Sequence, residues 1–307
     1  MIVSYGEILI DSFVEDGKEK QYVGGAPFNV VYQASLMGSN ILFVGNIGND
    51  SYGKKIYSFF EKHEMRIDGL RIDNERKTTS SKVALKNGER SFKFYRDNTA
   101  DSYFDDESLR FIKEGDIIHL GSLMLSKKEG RDFATKVINE ARNQNKILSF
   151  DINFRSDIFK DKEEALKIFN EFYPKFDIVK FSIEELRLFT NKDKIEDALS
   201  SLISGPKLFL ITLGKEGSLA FYNNKIIKAQ SIKTNVIDST GAGDSFFGTF
   251  LSQIDSLGLR ETMFLSSLMS STLRFSNIAG ALTCKKYGAL SSMPTYKEVN
   301  ITLENQH

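Results

Sequence analysis

The sequence predicts an α/β fold, a mostly parallel sheet with helices on both faces. Three observations point to it. Short apolar runs of strand length alternate with amphipathic stretches of helical period along the chain. One segment in the first third breaks that alternation and reads as antiparallel. No composition break, repeat or Pro/Ser-rich linker divides the 307 residues, which hold only four prolines, so one domain over 1–307 is expected.

The strands in order are IVSY (2–5), NILFVG (40–45), DIIHL (116–120), KILSFD (146–151), DIVKF (177–181) and KLFLITL (207–213). Helical periods fall near 30–37, 50–61, 128–142, 163–172 and 183–188. In such folds ligands sit beyond the carboxyl ends of the strands. Asp11, Asp151, Ser182 and the segment 238–244 are expected at such ends. The exception is KTTSSKVALKNGERSFKFYRD (77–97), two strand-like runs around Asn87-Gly88, a strong hairpin-turn signal. Val83, Leu85, Phe92 and Phe94 alternate along it, and Asp16-Gly17 offers a second turn between ILIDSFV and KQYVGG. These runs, about 12–24 and 77–100, form either a plain edge sheet or a lid that excludes water from a reactive site.

Composition removes several classes. Lys plus Arg and Asp plus Glu are 41 each, so no global basic field draws nucleic acid or an anionic membrane. The single cysteine, Cys284, excludes an internal disulfide framework and a cysteine-rich zinc site. His63, His119 and His307 are scattered, which speaks against a multi-histidine metal site. Without a G-x-S-x-G elbow they give little support to a Ser–His–Asp hydrolase. MIVSYGEILID lacks a basic n-region and reads as a first strand, not a signal peptide. No apolar run approaches the ~20 residues of a membrane span, and a cytoplasmic location is expected.

The stretch VIDSTGAGDSFFGTFLSQ (236–253) concentrates chemistry. Val236 and Ile237 read as the end of a strand. Phe246, Phe247, Phe250, Leu251 and Ile254 recur at helical spacing. Gly241-Ala242-Gly243 is therefore a tight turn into a helix N-terminus, whose free N–H groups and dipole attract an anion. The same turn also suits simple capping by Asp238, Ser239 and Thr240. Two details favour a site. Asp244 stands inside the anion-attracting turn, and familiar nucleotide loops do not fit, since G-x-G-x-x-G needs a glycine at Phe246 and a P-loop needs Gly-Lys-Ser/Thr.

DSTGAGDSF resembles the C-terminal signature of the phosphofructokinase-B (ribokinase-like) family of sugar and nucleoside kinases. VGGAPFNVVYQASLMG (23–38) resembles its N-terminal signature, in a Gly-Gly-Ala-Pro-x-Asn form similar to bacterial fructokinases. Both stand in the right order about two hundred residues apart. GEILID, FYRDNTAD, HLGS, DINFR, VKFSIEEL, TLGKEG and the final FSNIAGALTCKKYGALSSMP are similar to fructokinase-type members, so the likeness covers residues 1–300.

The resemblance implies a ribokinase-like, Rossmann-like sheet with a small β lid, and an ATP-dependent sugar kinase, first of all one making fructose 6-phosphate. It implies that Gly241, Ala242 and Gly243 bind the transferring phosphoryl group and that Asp244 accepts the hydroxyl proton. A weak base suffices where proton transfer is late in a loose transition state. Asp11, Gly24, Gly25, Asn29, Arg96 and Arg155 are implied for the sugar. Ser182, Thr212, Gly214, Gly217, Gly241, Gly243 and Asn277 are implied for ATP. Glu185 is implied to organise the waters of Mg2+, although Ser182-Ile183-Glu184-Glu185 departs from the commoner Asn-x-x-Glu. Asp238, Thr240, Gly288 and Ser292 match positions that hold a monovalent cation such as K+ in some relatives. A homodimer paired through the lid is the implied assembly. Alternatives are a 2-keto-3-deoxygluconate kinase with Arg96 and Arg155 clamping the carboxylate, an aminoimidazole-riboside-type nucleoside kinase, and a non-catalytic ligand-binding relative. Keto-acid kinases tend to carry tyrosine where Phe94 stands, which favours fructose. The presence of Asp244 speaks against the non-catalytic relative.

Overall fold

The structure is a computed structural model that describes residues 1–15, 18–86, 89–159, 161–257 and 266–305. It begins with β1 (Ile2–Tyr5), β2 (Leu9–Glu15), β3 (Lys18–Gly24), α1 (Ala26–Leu36), β4 (Ile41–Gly48), α2 (Ser51–Lys62) and β5 (Leu70–Asp73). There follow β6 (Ser80–Lys86), β7 (Glu89–Tyr95), β8 (Ile117–Leu120), α3 (Lys128–Asn143), β9 (Ile147–Asp151) and α4 (Lys162–Phe172). Next are β10 (Ile178–Ser182), α5 (Ile183–Thr190), α6 (Ile195–Ser200), β11 (Leu208–Thr212), β12 (Ser218–Tyr222) and β13 (Lys225–Ala229). Helices α7 (Ala242–Leu257), α8 (Ser266–Thr283) and α9 (Tyr296–Glu304) complete it.

The six predicted apolar runs all become parallel strands of one sheet. Its order is β13-β12-β11-β10-β9-β8-β1-β4-β5, parallel from β5 to β11 and antiparallel at β12 and β13. Strands β1 and β8 are buried along their whole length, as near-continuous apolar strands must be when helices cover both faces. The chain builds outward from β1 through β4 and β5, then returns to add β8 on the other side. That reversal opens a crevice at the carboxyl ends of β1 and β8.

The five predicted helices form. Helix α1 starts at Ala26, earlier than the 30–37 period, because Gly25 takes the N-cap position and Pro27 suits the first turn. The α2 start is capped by Asp50, whose side chain accepts the Gly53 N–H at 2.8 Å. Helix α7 packs between α1 and α8. Gly248 lets α1 and α7 cross closely, since a Cβ there would lie 2.2 Å from the Val30 carbonyl oxygen.

A second sheet, β3-β2-β6-β7, stands apart from the first. The predicted hairpin is present, pairing Ser80 with Tyr95 through Lys86 with Glu89. The turns at Asp16-Gly17 and Asn87-Gly88, the side chains of Val83, Leu85 and Phe92, and His307 lie outside the described residues.

Two expectations are corrected. Val236 and Ile237 do not end a strand; they are 63% and 53% exposed in a loop, and the Ile237 N–H donates to the Cys284 carbonyl. That loop is held by the segment after α8 and pairs with no strand. Asp11 does not end a strand of the main sheet: it lies inside β2, which belongs to the second sheet. It enters the crevice from the side instead.

Candidate active site

One cavity of about 1680 Å³ runs along the carboxyl ends of the main sheet and is bounded on one side by Leu9, Asp11 and Phe94 of the second. Its floor is the first turn of α7. The Ala242 N–H donates to Ser239 O at 3.2 Å, whereas the Gly243 and Asp244 N–H groups carry no hydrogen bond among the described residues. Two donors therefore point from a helix N-terminus into the cavity, and they are those of Gly243 and Asp244, not of Ala242. Gly241 has φ +79°, and a Cβ there would lie 2.7 Å from the Ala289 Cβ, so the turn accepts only glycine without strain.

Asp244 is half-buried in this turn. Its Oδ2 accepts a hydrogen bond from Asn29 Nδ2 at 2.8 Å, which joins the two signature segments across the α1–α7 crossing. Burial raises its carboxyl to about 6, and the charge of Asp151 adds to this, against Asn29, Lys180 and Arg155, which lower it. A carboxylate so raised is a better base than an exposed aspartate and is still ionised near neutral pH.

Beside it lies a buried pair that the motif reading left out. Lys180 Nζ donates to both Asp151 oxygens at 2.7 Å, and the two residues are direct neighbours across β9 and β10. A Cβ built on Gly243 would sit 3.5 Å from Lys180 Nζ, so the ammonium faces the anion-binding turn. Burial would lower this ammonium, but the Asp151, Glu185 and Asp244 carboxylates raise it, and it stays charged. The one available signal was a lysine in the middle of the apolar run DIVKF. A charge in a buried strand must have a partner.

On the sugar-predicted side, Asp11 accepts a hydrogen bond from Ser81 Oγ. Burial pushes its carboxyl up to about 6, against the lowering by Ser81 and Arg155. Gly24 does not reach the cavity but makes room for Asp11, since a Cβ there would be 2.5 Å from Asp11 Oδ2. Gly25 has φ +117°, and its Cβ would lie 2.5 Å from Glu7 O, so the backbone closes tightly at the cavity wall. Arg155 lines the cavity with Asn153. Arg96 stands behind the wall: Nε donates to Asp101 and Nη1 to Ser126 Oγ, each at 2.6 Å. Asp101 is fully buried, and although burial pushes its carboxyl up, Arg96 with the Thr79 and Thr99 hydroxyls holds it below the usual range.

At the other end Ser182, Thr212, Gly214, Gly217 and Asn277 line the cavity. Ser182 caps α5, accepting the Glu185 N–H at 3.2 Å, and Glu185 accepts the Ser182 N–H in return at 2.8 Å. The second Glu185 oxygen accepts the Phe154 N–H at 2.8 Å. Burial raises this carboxyl, with Lys180 opposing. The Asn277 amide is engaged, donating to Ala229 O at 3.0 Å. Asp238 accepts the Thr240 N–H at 2.8 Å and the Gly288 N–H at 2.9 Å, pinning the turn to the loop after α8. Gly288 and Ser292 lie behind Asp238, outside the cavity wall. Ser292 Oγ donates to Tyr287 O. Among the described residues no cluster of three His, Cys, Asp or Glu side chains could hold a metal by itself, and no helix is long and apolar enough to cross a membrane.

A base, two helix-terminal donors and a buried cation thus converge on one point, as transfer of an anionic group to a hydroxyl requires. The family model described as pfkB family carbohydrate kinase matches residues 1–296. The chain belongs to this family. Probable fructokinase-4 of Arabidopsis thaliana is 33% identical over 317 residues, spanning 99% of this chain and 97% of its own. The fructokinase of Xylella fastidiosa, solved with bound ATP, is 28% identical with a TM-score of 0.90, covering 99% of this chain and 98% of that one. A fructokinase double mutant from Vibrio cholerae O395, solved with fructose, ADP and potassium ion, is 25% identical with a TM-score of 0.90, covering 98% and 97%. The ribokinase-like fold expected from the two signatures is present in this pfkB member.

Proposed function

We infer that the protein is an ATP-dependent fructokinase, moving the γ-phosphoryl group of ATP to fructose to give fructose 6-phosphate. The observation that carries this is Asp244, half-buried at the start of α7, bonded to Asn29 and set beside the free N–H groups of Gly243 and Asp244. Asp244 takes the proton of the attacking hydroxyl, while the turn and Lys180 offset charge on the transferring group. Asp11, Asn29 and Arg155 orient the sugar. Ser182, Thr212, Gly214 and Gly217 run along the nucleotide, with Asn277 near its base.

Fructose is favoured over 2-keto-3-deoxygluconate by the state of Arg96. Its charge is balanced by the buried Asp101, so no Arg96–Arg155 clamp remains for a carboxylate. Glu185 fits the role of organising the waters of Mg2+, since each oxygen accepts one backbone N–H and keeps one lone pair for a water of the ion. When bound, that ion neutralises phosphate charge. Asp238, Thr240, Gly288 and Ser292 supply the oxygen donors expected around K+. The second sheet acts as the lid, and it pairs two copies in a cytoplasmic homodimer. A coupled assay with ATP and Mg2+ across fructose, 2-keto-3-deoxygluconate and nucleosides tests the reading. Fructose is expected to show the highest kcat/KM, and a higher value for the keto-acid would overturn it. Potassium against sodium in the same assay tests the cation, and sedimentation velocity tests the dimer.

A further inference from the structure

Three side-chain atoms around the sugar-predicted side are buried with no hydrogen-bond partner among the described residues: Asn29 Oδ1, Arg96 Nη2 and Glu7 Oε2. Asn29 is already assigned to the sugar, and Arg96 stands behind the wall in its pair with Asp101. Glu7 carries no such assignment. It follows β1 by one glycine, is 3% exposed and faces the cavity. Its position is fixed on two sides by glycines. A Cβ on Gly121 would lie 2.9 Å from Glu7 Oε2, and one on Gly25 would lie 2.5 Å from Glu7 O. A carboxyl this deep with an unsatisfied oxygen costs stability unless a ligand completes its bonding.

We propose that Glu7 is a specificity-determining residue of the sugar subsite, its Oε2 bonding one hydroxyl of a neutral sugar. The proposal rests on the sugar-kinase reading above. The charged groups that face Glu7 are Arg96 and Asp101, from the end of β7 and the turn after it, and Asp244 from α7. Burial raises the Glu7 carboxyl to about 8, against its own backbone N–H and Arg96, which lower it, while Asp101 and Asp244 add to the rise. Near neutral pH the group is therefore an uncharged acid, able both to donate and to accept. Such a pair matches a hydroxyl and gives an anionic substrate no counter-charge.

The test compares the parent with Glu7→Ala and Glu7→Gln, using fructose, a set of single-deoxy fructoses, and ATP. Glu7→Ala is expected to lower kcat/KM for fructose about 10- to 100-fold, with the KM for ATP little changed. Glu7→Gln keeps a donor and an acceptor and should recover most of that loss. One deoxy sugar, poor with the parent, should lose nothing further in Glu7→Ala, which identifies the hydroxyl. An equal loss for every sugar in the set, or no loss, would overturn the proposal. Should Glu7→Ala fail to fold, pH decides with the other variant. The sugar KM of the parent should rise above pH ~8 as the O–H donor is lost, and that of Glu7→Gln should stay flat; parallel profiles overturn the idea. If the parent does not accept fructose, the functional reading fails separately, and the same comparison runs on whichever sugar is turned over.

Discussion

Asp244 is pulled in opposite directions by its burial and its task. Its folded carboxyl titrates at about 6, against 3.8 for an ordinary aspartate. The folded state thus binds the proton more tightly, and the sign follows. Its contribution to stability is complete below pH ~4, falls as pH rises through about 6, and leaves a cost on the order of 2–3 kcal/mol at pH 8. Asp244→Asn should therefore raise the melting temperature at pH 8 and change it little at pH 4, which thermal unfolding at both values reads. The same variant should lose about 10²–10⁴ in turnover while sugar and ATP binding survive. For the parent, kcat/KM should fall as pH drops below about 6, because the base is then protonated. A variant with half the parental turnover would sink the assignment.

Two neighbouring strands bring the Asp151–Lys180 pair together, so its energetics belong to β9 and β10. Removal of one member leaves a buried charge without its partner, typically a loss of about 3–5 kcal/mol. Lys180→Met should show that loss in denaturant unfolding and a fall in turnover with it. Adding Asp151→Leu should restore much of the stability and none of the activity, separating the two roles. If the double variant regained activity, Lys180 would be only a strut. The start of α5 offers a milder case. Ser182→Ala removes a cap worth about 1 kcal/mol, and if the hydroxyl also serves the nucleotide, the KM for ATP rises beyond what that loss of stability explains. An unchanged KM leaves Ser182 as a cap alone.

The cavity exists because two sheets share it. Asp11 of the second sheet is acted on by the charges of Arg155 and Asp244 from the first body of the fold, so a sugar bound between them, as proposed, would tie the sheets together. The lid proposal then predicts that fructose slows amide hydrogen exchange in β2, β3 and β6. An ATP analogue alone should slow it chiefly near 238–244. Equal exchange in β2 and β3 with and without fructose would leave the sheet a static wall. Tyr22 of β3 lies near the loop after α8, 3.7 Å from where a Cβ on Gly288 would stand, so lid movement would be felt at the turn that Asp238 pins.

Periodicity and contiguous motifs were enough for the six parallel strands, the hairpin of β6 and β7, and the helix α7 with Asp244 in its first turn. Each depends on residues a few positions apart, whose alternation or spacing directly determines local backbone shape. Ranges shifted where capping decided the boundary, as at Gly25 and Pro27. Val236 and Ile237 misled because apolar side chains signal burial in a strand, yet here they flank a cavity. The fates of the charges could not be read locally. Arg96 is paired with Asp101, Lys180 is held by Asp151, and burial raises the Glu7 carboxyl. Each outcome is set by desolvation and by which strands and helices become neighbours. Only the tertiary structure decided that, since the free energy of a buried charge depends on groups far away in sequence.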